Sequence, residues 1–255
     1  MSNCVNIIWK NGLGNQLFQY AYGRIKSEIN QCDLTYSGTM NEWVGVNLFD
    51  YGLLDETHKV KKYNNQNILL NIDYNKVQAL DLENPHFYSE YINDIKSWFT
   101  NQDDKNMDDL VVHLRLGDNG PNIHTPFEWY KKAIEDNEIE FHKLFLITDG
   151  SDSEDARKFK SYYDAEIPSS VNVETNQDWK KYLHETMFDF NFIRKFDKIL
   201  FSNSTFSWWA SVLSDASHIW FNKEWQPNHY HGKIRLGETN YSKWNPIIPF
   251  SLKEK

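Results

Sequence analysis

Apolar and polar positions along this chain alternate with two periods, and the switch from one to the other marks out strands and helices. Val5 to Trp9 is a largely apolar run of strand length. Lys10-Asn11-Gly12-Leu13-Gly14-Asn15-Gln16 follows at once, and Leu17, Tyr20, Ala21 and Ile25 continue at helical spacing. From Gln31 to about Thr100 short apolar pieces, Leu34 to Tyr36 and Ile68 to Ile72, interrupt polar, asparagine-rich stretches, and Tyr88 to Phe99 has helical periodicity. Short strands plus a helix predict an irregular half-domain. Asn101 to Asp109 is charged and polar with only Met107 as an apolar anchor, so a linker is expected there.

Beyond that run the alternation is regular. Leu110 to Leu114, Leu144 to Thr148, Val171 to Val173, Ile199 to Phe201 and Ile219 to Phe221 have the apolar character of buried strands. Pro126 to Asn137, Ser153 to Tyr163, Asp178 to Phe196 and Phe206 to Leu213 have helical spacing. Strands alternating with helices predict an α/β fold with a parallel sheet covered on both faces. Ligands of such sheets bind outside the carboxyl ends of the strands, which directs attention to the residues just past each strand.

Three strand ends carry functional groups. Lys198 to Leu213, KILFSNSTFSWWASVL, reads as strand, polar turn and helix start. Ser202, Asn203, Ser204 and Thr205 are good N-cap residues, and a first helical turn offers N–H groups and a positive dipole end to a phosphate. An ordinary capped helix with Trp208 and Trp209 in the core fits the same letters. His113 and Arg115 fall on one side of the alternating strand HLRLGD, where a guanidinium fork suits a diphosphate. A structural pair of Arg115 with Asp118 is the alternative. Asp149 ends LFLITD, where its carboxylate can accept from a guanine's N1–H and exocyclic amine, or cap the helix that follows. The glycine turn adds Gly12 and Gly14, expected to allow positive φ and close approach of a ligand, with Asn15 and Gln16 as amide donors.

Composition narrows the partners. The 255 residues are 16% aromatic, enough core-forming surface for one large domain or two small ones. Acidic residues outnumber basic ones 36 to 27, a formal charge of −9 that argues against a nucleic-acid or anionic-membrane footprint. Any anion must be met locally. Cys4 and Cys32 lack metal-ligand spacing and read as reduced thiols, and no apolar run reaches membrane-spanning length. A cytoplasmic protein without an integral membrane segment is expected.

Asn11 to Ala21 (NGLGNQLFQYA), His113 to Asp118 (HLRLGD) and Asn203 to Leu213 (NSTFSWWASVL) resemble, in this order, the α-1,2-fucosyltransferases of bacterial and viral type. Leu146 to Asp149 and Asp189-Phe190 resemble the family's intervening motifs, and Trp225 its tail. The resemblance implies an inverting GT-B-type glycosyltransferase with two Rossmann-like lobes. A small, irregular N-terminal lobe, residues 1–105, would lie on the acceptor side, and residues 106–255 would bind GDP-β-L-fucose. It places Arg115 on the β-phosphate, His113 and Asp149 near the guanine, and Ser204, Thr205 and Phe206 on the diphosphate turn. Asp189 precedes that turn, and Asn15 faces the donor from the other lobe. Arg115, Asn15 and Asp118 are the expected catalytic residues, Asp118 being preferred to His124 as general base. No metal or other cofactor is expected, since Arg115 and a helix terminus meet the leaving-group charge. Where the family usually shows a second arginine this chain has Leu116, which opens the alternative of another nucleotide-linked deoxysugar. A non-catalytic carbohydrate- or nucleotide-binding module would also suit the aromatic content.

Overall fold

The computed structural model describes residues 3–37, 48–54, 60–62, 67–73, 82, 85–100, 104–116, 124–170, 177–201, 204–222 and 244–247. The chain divides into two compact units, Met1–Asn101 with Asn172–Phe188, and Gln102–Val171 with Asp189–Lys255. This division differs from a single cut at residue 105 in giving 172–188 to the N-terminal unit.

The N-terminal unit is built on a four-stranded parallel sheet. Its strands are β1 (Asn3–Ile8), β2 (Asp33–Ser37), β3 (Lys61–Lys62) and β4 (Asn67–Asp73), in the order β3-β2-β1-β4. The sheet is therefore more regular than the asparagine-rich sequence suggests, because backbone pairing to the buried β1 holds strands whose own side chains are largely polar or exposed. Helix α1 (Leu13–Ile29) buries Leu17, Phe18, Ala21 and Ile25, as its spacing requires. The single helix expected over Tyr88 to Phe99 is two short ones, α2 (Pro85–Ser89) and α3 (Ile92–Ser97), with a turn at Glu90 and Tyr91 between them.

The C-terminal unit holds the larger sheet. Strands β5 (Asn106–Leu114), β6 (Leu144–Thr148), β7 (Phe196–Phe201), β8 (His218–Asn222) and β9 (Trp244–Ile247) run parallel in the order β6-β5-β7-β8-β9. Leu110, Val112 and Leu114 pack with Leu144, Leu146 and Leu200 into a core shared with α4 (Phe127–Asp136) and α5 (Glu154–Tyr163). The alternate positions Val111 and His113 are buried on the opposite face. There the part of α6 (Asp178–Arg194) that belongs to this unit, from Asp189 on, meets α7 (Thr205–Val212), with Phe190 edge-on to Phe206 at 5.2 Å.

Three expectations change here. Residues 106–109, expected in a linker, are the first part of β5, since Asn106 pairs with Phe196 and donates to the Lys195 carbonyl. Asp109 meanwhile accepts from the Lys143 amide. The helix expected to reach Phe196 ends at Arg194, and Phe196 opens β7. Strand β9 has no counterpart in the sequence reading. Val171 to Val173 and Trp225 lie outside the described residues. Among the described residues no helix is long and apolar enough to cross a membrane.

Candidate active site

Register brings three strand ends level. Leu114 of β5 pairs with Thr148 of β6, and His113 pairs with Phe201 of β7, so the residues after all three strands emerge at one edge of the sheet. Arg115 and Leu116 follow β5, Asp149 and Gly150 follow β6, and Ser204 opens α7 after β7. This is the edge at which parallel sheets hold ligands.

Asp149 ties two of these strand ends together. Its Oδ1 accepts from the Leu116 amide at 2.8 Å, and its Oδ2 lies 3.6 Å from Arg115 Nε. The partner of Arg115 is thus Asp149, while Asp118 lies outside the described residues. Asp149 does not cap the next helix. Ser153 does, accepting from the Ala156 amide at 3.1 Å. The Arg115 and Asp149 side chains are 32% and 35% exposed, so their ion pair adds little stability and acts chiefly to orient the guanidinium. Leu116 lies flat on Gly150, its Cδ1 2.7 Å from where a Cβ on that glycine would stand. Any side chain at position 150 would displace it.

His113 is held from three sides. Its carbonyl accepts from Tyr130 Oη at 3.0 Å, its Nδ1 is 2.9 Å from Ser207 Oγ, and its ring lies 5.7 Å from that of Phe206. Burial pushes the imidazole down to a pKa of about 4, the neighbouring Arg115 charge adds to this, and Asp149 opposes it. His113 is therefore neutral at pH 7.

Ser204 is the N-cap of α7, its Oγ accepting from the Ser207 amide at 3.4 Å. Thr205 and Phe206 form the first turn, and Trp208 and Trp209 are fully buried edge to face, 4.9 Å apart. Ser204 thus caps a helix whose tryptophans lie in the core, and capping with one side chain leaves the dipole of its first turn in place. Asp189 is half-buried on α6 beside Phe190, which packs on Phe206. Arg194, also on α6, donates to the Leu213 carbonyl at 3.3 Å and ties down the far end of α7. Asn203 lies outside the described residues.

In the N-terminal unit the glycine turn departs from its expected geometry. Gly12 is the N-cap of α1 with φ −76°, Gly14 lies within the helix, and the positive φ of 63° belongs to Asn11. Asparagine tolerates that conformation, and the turn is pinned by glutamines instead. Gln16 Nε2 donates to the Asn11 carbonyl at 2.9 Å, and Gln19 both donates to the Lys10 carbonyl and accepts from its amide. Asn15 is half-buried in the first turn of α1. A Cβ on Gly12 would stand 3.7 Å from Tyr182 Oη, an ordinary contact.

His124, the second candidate base, has Nε2 2.9 Å from Asp155 Oδ2, and Asp155 Oδ1 accepts from the Phe127 amide at 3.2 Å. The sequence reading passed over Tyr130, Ser207 and Gln19. Ser207 alone left a trace in the sequence, as a small polar residue inside an otherwise apolar helical turn.

No protein-family model matches the chain, and no curated protein sequence matches it. Among solved structures it is similar to the NodZ α-1,6-fucosyltransferase soaked with GDP-fucose, with a TM-score of 0.50 at 11% identity, covering 86% of this chain and 94% of that one. The same enzyme co-crystallized with GDP gives a TM-score of 0.48 at 11% identity, covering 86% and 93%. Fucosyltransferase NodZ from Bradyrhizobium gives 0.46 at 11%, covering 86% and 94%. The fold of this chain is α/β with two parallel sheets and is of the GT-B type, like that of NodZ.

Proposed function

We propose that this chain is an inverting glycosyltransferase that moves L-fucose from GDP-β-L-fucose to a glycan hydroxyl, forming an α-1,2 linkage. The observation that carries the reading is the convergence of His113, Arg115, Asp149 and the first turn of α7 at one edge of a parallel sheet. An oriented guanidinium beside a helix N-terminus is a diphosphate site. The fold shared with a fucosyltransferase supports the sugar-nucleotide class. The α-1,2 linkage rests on the three sequence motifs, and the solved relative's α-1,6 linkage is the competing outcome.

In the proposed reaction the acceptor oxygen bonds to the anomeric carbon as the bond to the β-phosphate oxygen breaks, its electron pair leaving with GDP. The acceptor proton passes to a base, for which Asp118 is the preferred group and His124 the second. Arg115 and the amides around Ser204 and Thr205 stabilise the charge gathering on the diphosphate, which is the main barrier. Asn15 and Asp189 are assigned to holding the donor. A second reading, transfer of another deoxysugar, is favoured by one feature. Leu116 packs on Gly150 in place of a second cation, leaving Arg115 as the single guanidinium of this strand end.

The test is incubation of the full chain with GDP-fucose and galactoside acceptors, followed by linkage analysis of the product. An α-1,2 product whose formation survives saturating EDTA is expected. Turnover that collapses with chelator and returns with Mn²⁺ would overturn the mechanism. An α-1,6 product would overturn the linkage, and turnover with a different GDP-deoxysugar alone would establish the second reading.

A further inference from the structure

Ser207 does not belong to the expected donor-binding residues, yet it joins the two halves of the site. It is fully buried in the first turn of α7, and its Oγ stands 2.9 Å from His113 Nδ1 at the end of β5. Its own amide is held by the Ser204 N-cap, so its side chain links the capped turn of the helix to the strand. A hydroxyl has one proton to give, and two acceptors compete for it. One is the Ser204 carbonyl, the usual partner of a helical serine, here at 3.5 Å and therefore at the limit of a hydrogen bond. The other is His113 Nδ1 at an ordinary hydrogen-bond length. Donation at 2.9 Å satisfies the hydroxyl better than donation at the limit of hydrogen-bond length, which favours Nδ1 as its acceptor. A neutral imidazole that accepts at Nδ1 carries its own proton on Nε2.

We propose that Ser207 is a positioning residue: its hydroxyl donates to His113 Nδ1 and so fixes the imidazole as the tautomer that offers an Nε2–H donor to the nucleotide. The inference rests on the nucleotide-sugar reading for the identity of the ligand, though not for the tautomer itself. An N–H donor suits the carbonyl and ring nitrogen of a guanine or a phosphate oxygen, and opposes an exocyclic amine such as adenine's. Two further contacts keep the ring in place for this task. Tyr130 holds the His113 carbonyl from α4, and the Phe206 ring lies against the imidazole. Burial and the Arg115 charge keep the ring neutral, so the tautomer rather than the charge is what Ser207 decides.

The experiment is nitrogen-15 NMR of the full chain, read at the ring nitrogens of His113, for the wild type and Ser207→Ala, followed by GDP titration of both. The wild type should show Nδ1 unprotonated and Nε2 protonated. Ser207→Ala should populate both tautomers and weaken GDP roughly three- to tenfold, the range expected for one lost hydrogen bond. A merely structural serine would lower stability without redistributing the ring proton. Nδ1 protonated in the wild type would overturn the proposal, as would a Ser207→Ala protein that keeps both the tautomer and the GDP affinity. Should Ser207→Ala fail to fold, the wild-type spectrum alone still decides the tautomer. Protonated Nε2 with no binding of GDP would overturn the nucleotide reading and leave the hold of Ser207 on His113 standing.

Discussion

Replacing Arg115 by lysine is expected to cost nearly as much turnover as replacing it by alanine. The two residues share a charge and little else. The guanidinium is a planar fork, gripped through Nε by Asp149, whereas a lysine ammonium is a point charge on a flexible stem that Asp149 cannot orient in the same plane. In the proposed reaction Arg115 meets charge that develops as the diphosphate leaves, so its loss should appear in kcat/KM as about 2–4 kcal/mol of transition-state stabilisation. Steady-state kinetics of wild type, Arg115→Lys and Arg115→Ala with GDP-fucose provide the comparison. A lysine variant that turns over like wild type would remove Arg115 from the clamp.

A second large effect concerns stability against acid. His113 titrates near 4 in the folded chain against an ordinary value of 6.5, because burial and the Arg115 charge both resist its protonation. Between those two values the unfolded chain holds a proton that the folded chain lacks. Folding free energy from this site is therefore fully present above about pH 6.5 and is lost as the pH falls toward 4. The shift corresponds to a loss of about 2–3 kcal/mol between pH 7 and 4.5. Urea unfolding of wild type and His113→Gln at both pH values isolates the contribution, since the other titrating groups are common to both proteins. The stability gap between them should change by that amount across the window. A gap independent of pH would mean that His113 titrates in the folded chain as it does in the unfolded one.

Both effects arise at a place where the sequence was most readable. Strong apolar runs of five residues, Leu110 to Leu114 and Leu144 to Thr148, identify strands of a covered parallel sheet, the first central and the second at the end of the strand order. The residues after such strands are then the ones to inspect, and Arg115, Asp149 and Ser204 stand there. What periodicity does not carry is which partner each finds. Asp149 is 33 residues from the Leu116 amide it holds, and Ser207 is 94 from His113, so these bonds exist only once the strands are in register. The polar beginning of a central strand was misread for a related reason. The start of β5 is polar, and only its ladder to β7 makes it a strand. The glycine turn shows the opposite error, since Gly12 and Gly14 suggested positive φ while buried glutamines impose it on Asn11. A glutamine at Gln16 or Gln19 leaves no pattern by which its inward turn can be known in advance.

The central claim is that the edge formed by β6, β5 and β7 recognises a guanosine diphosphate. Calorimetric titration of GDP, UDP and ADP into the wild type and Asp149→Ala tests it most directly. In the proposed site the Asp149 carboxylate, which holds the Leu116 amide and Arg115, accepts as well from a guanine's N1–H and amine. Uracil offers one ring N–H, and adenine's amine faces the Nε2–H donor assigned to His113. The account predicts that GDP binds well ahead of UDP and ADP in the wild type. It also predicts that Asp149→Ala weakens GDP by about 1–3 kcal/mol, and UDP by the smaller part that comes from a less well oriented Arg115. An equal loss for every nucleotide would confine Asp149 to holding Arg115, and UDP binding more tightly than GDP in the wild type would contradict the account at its root.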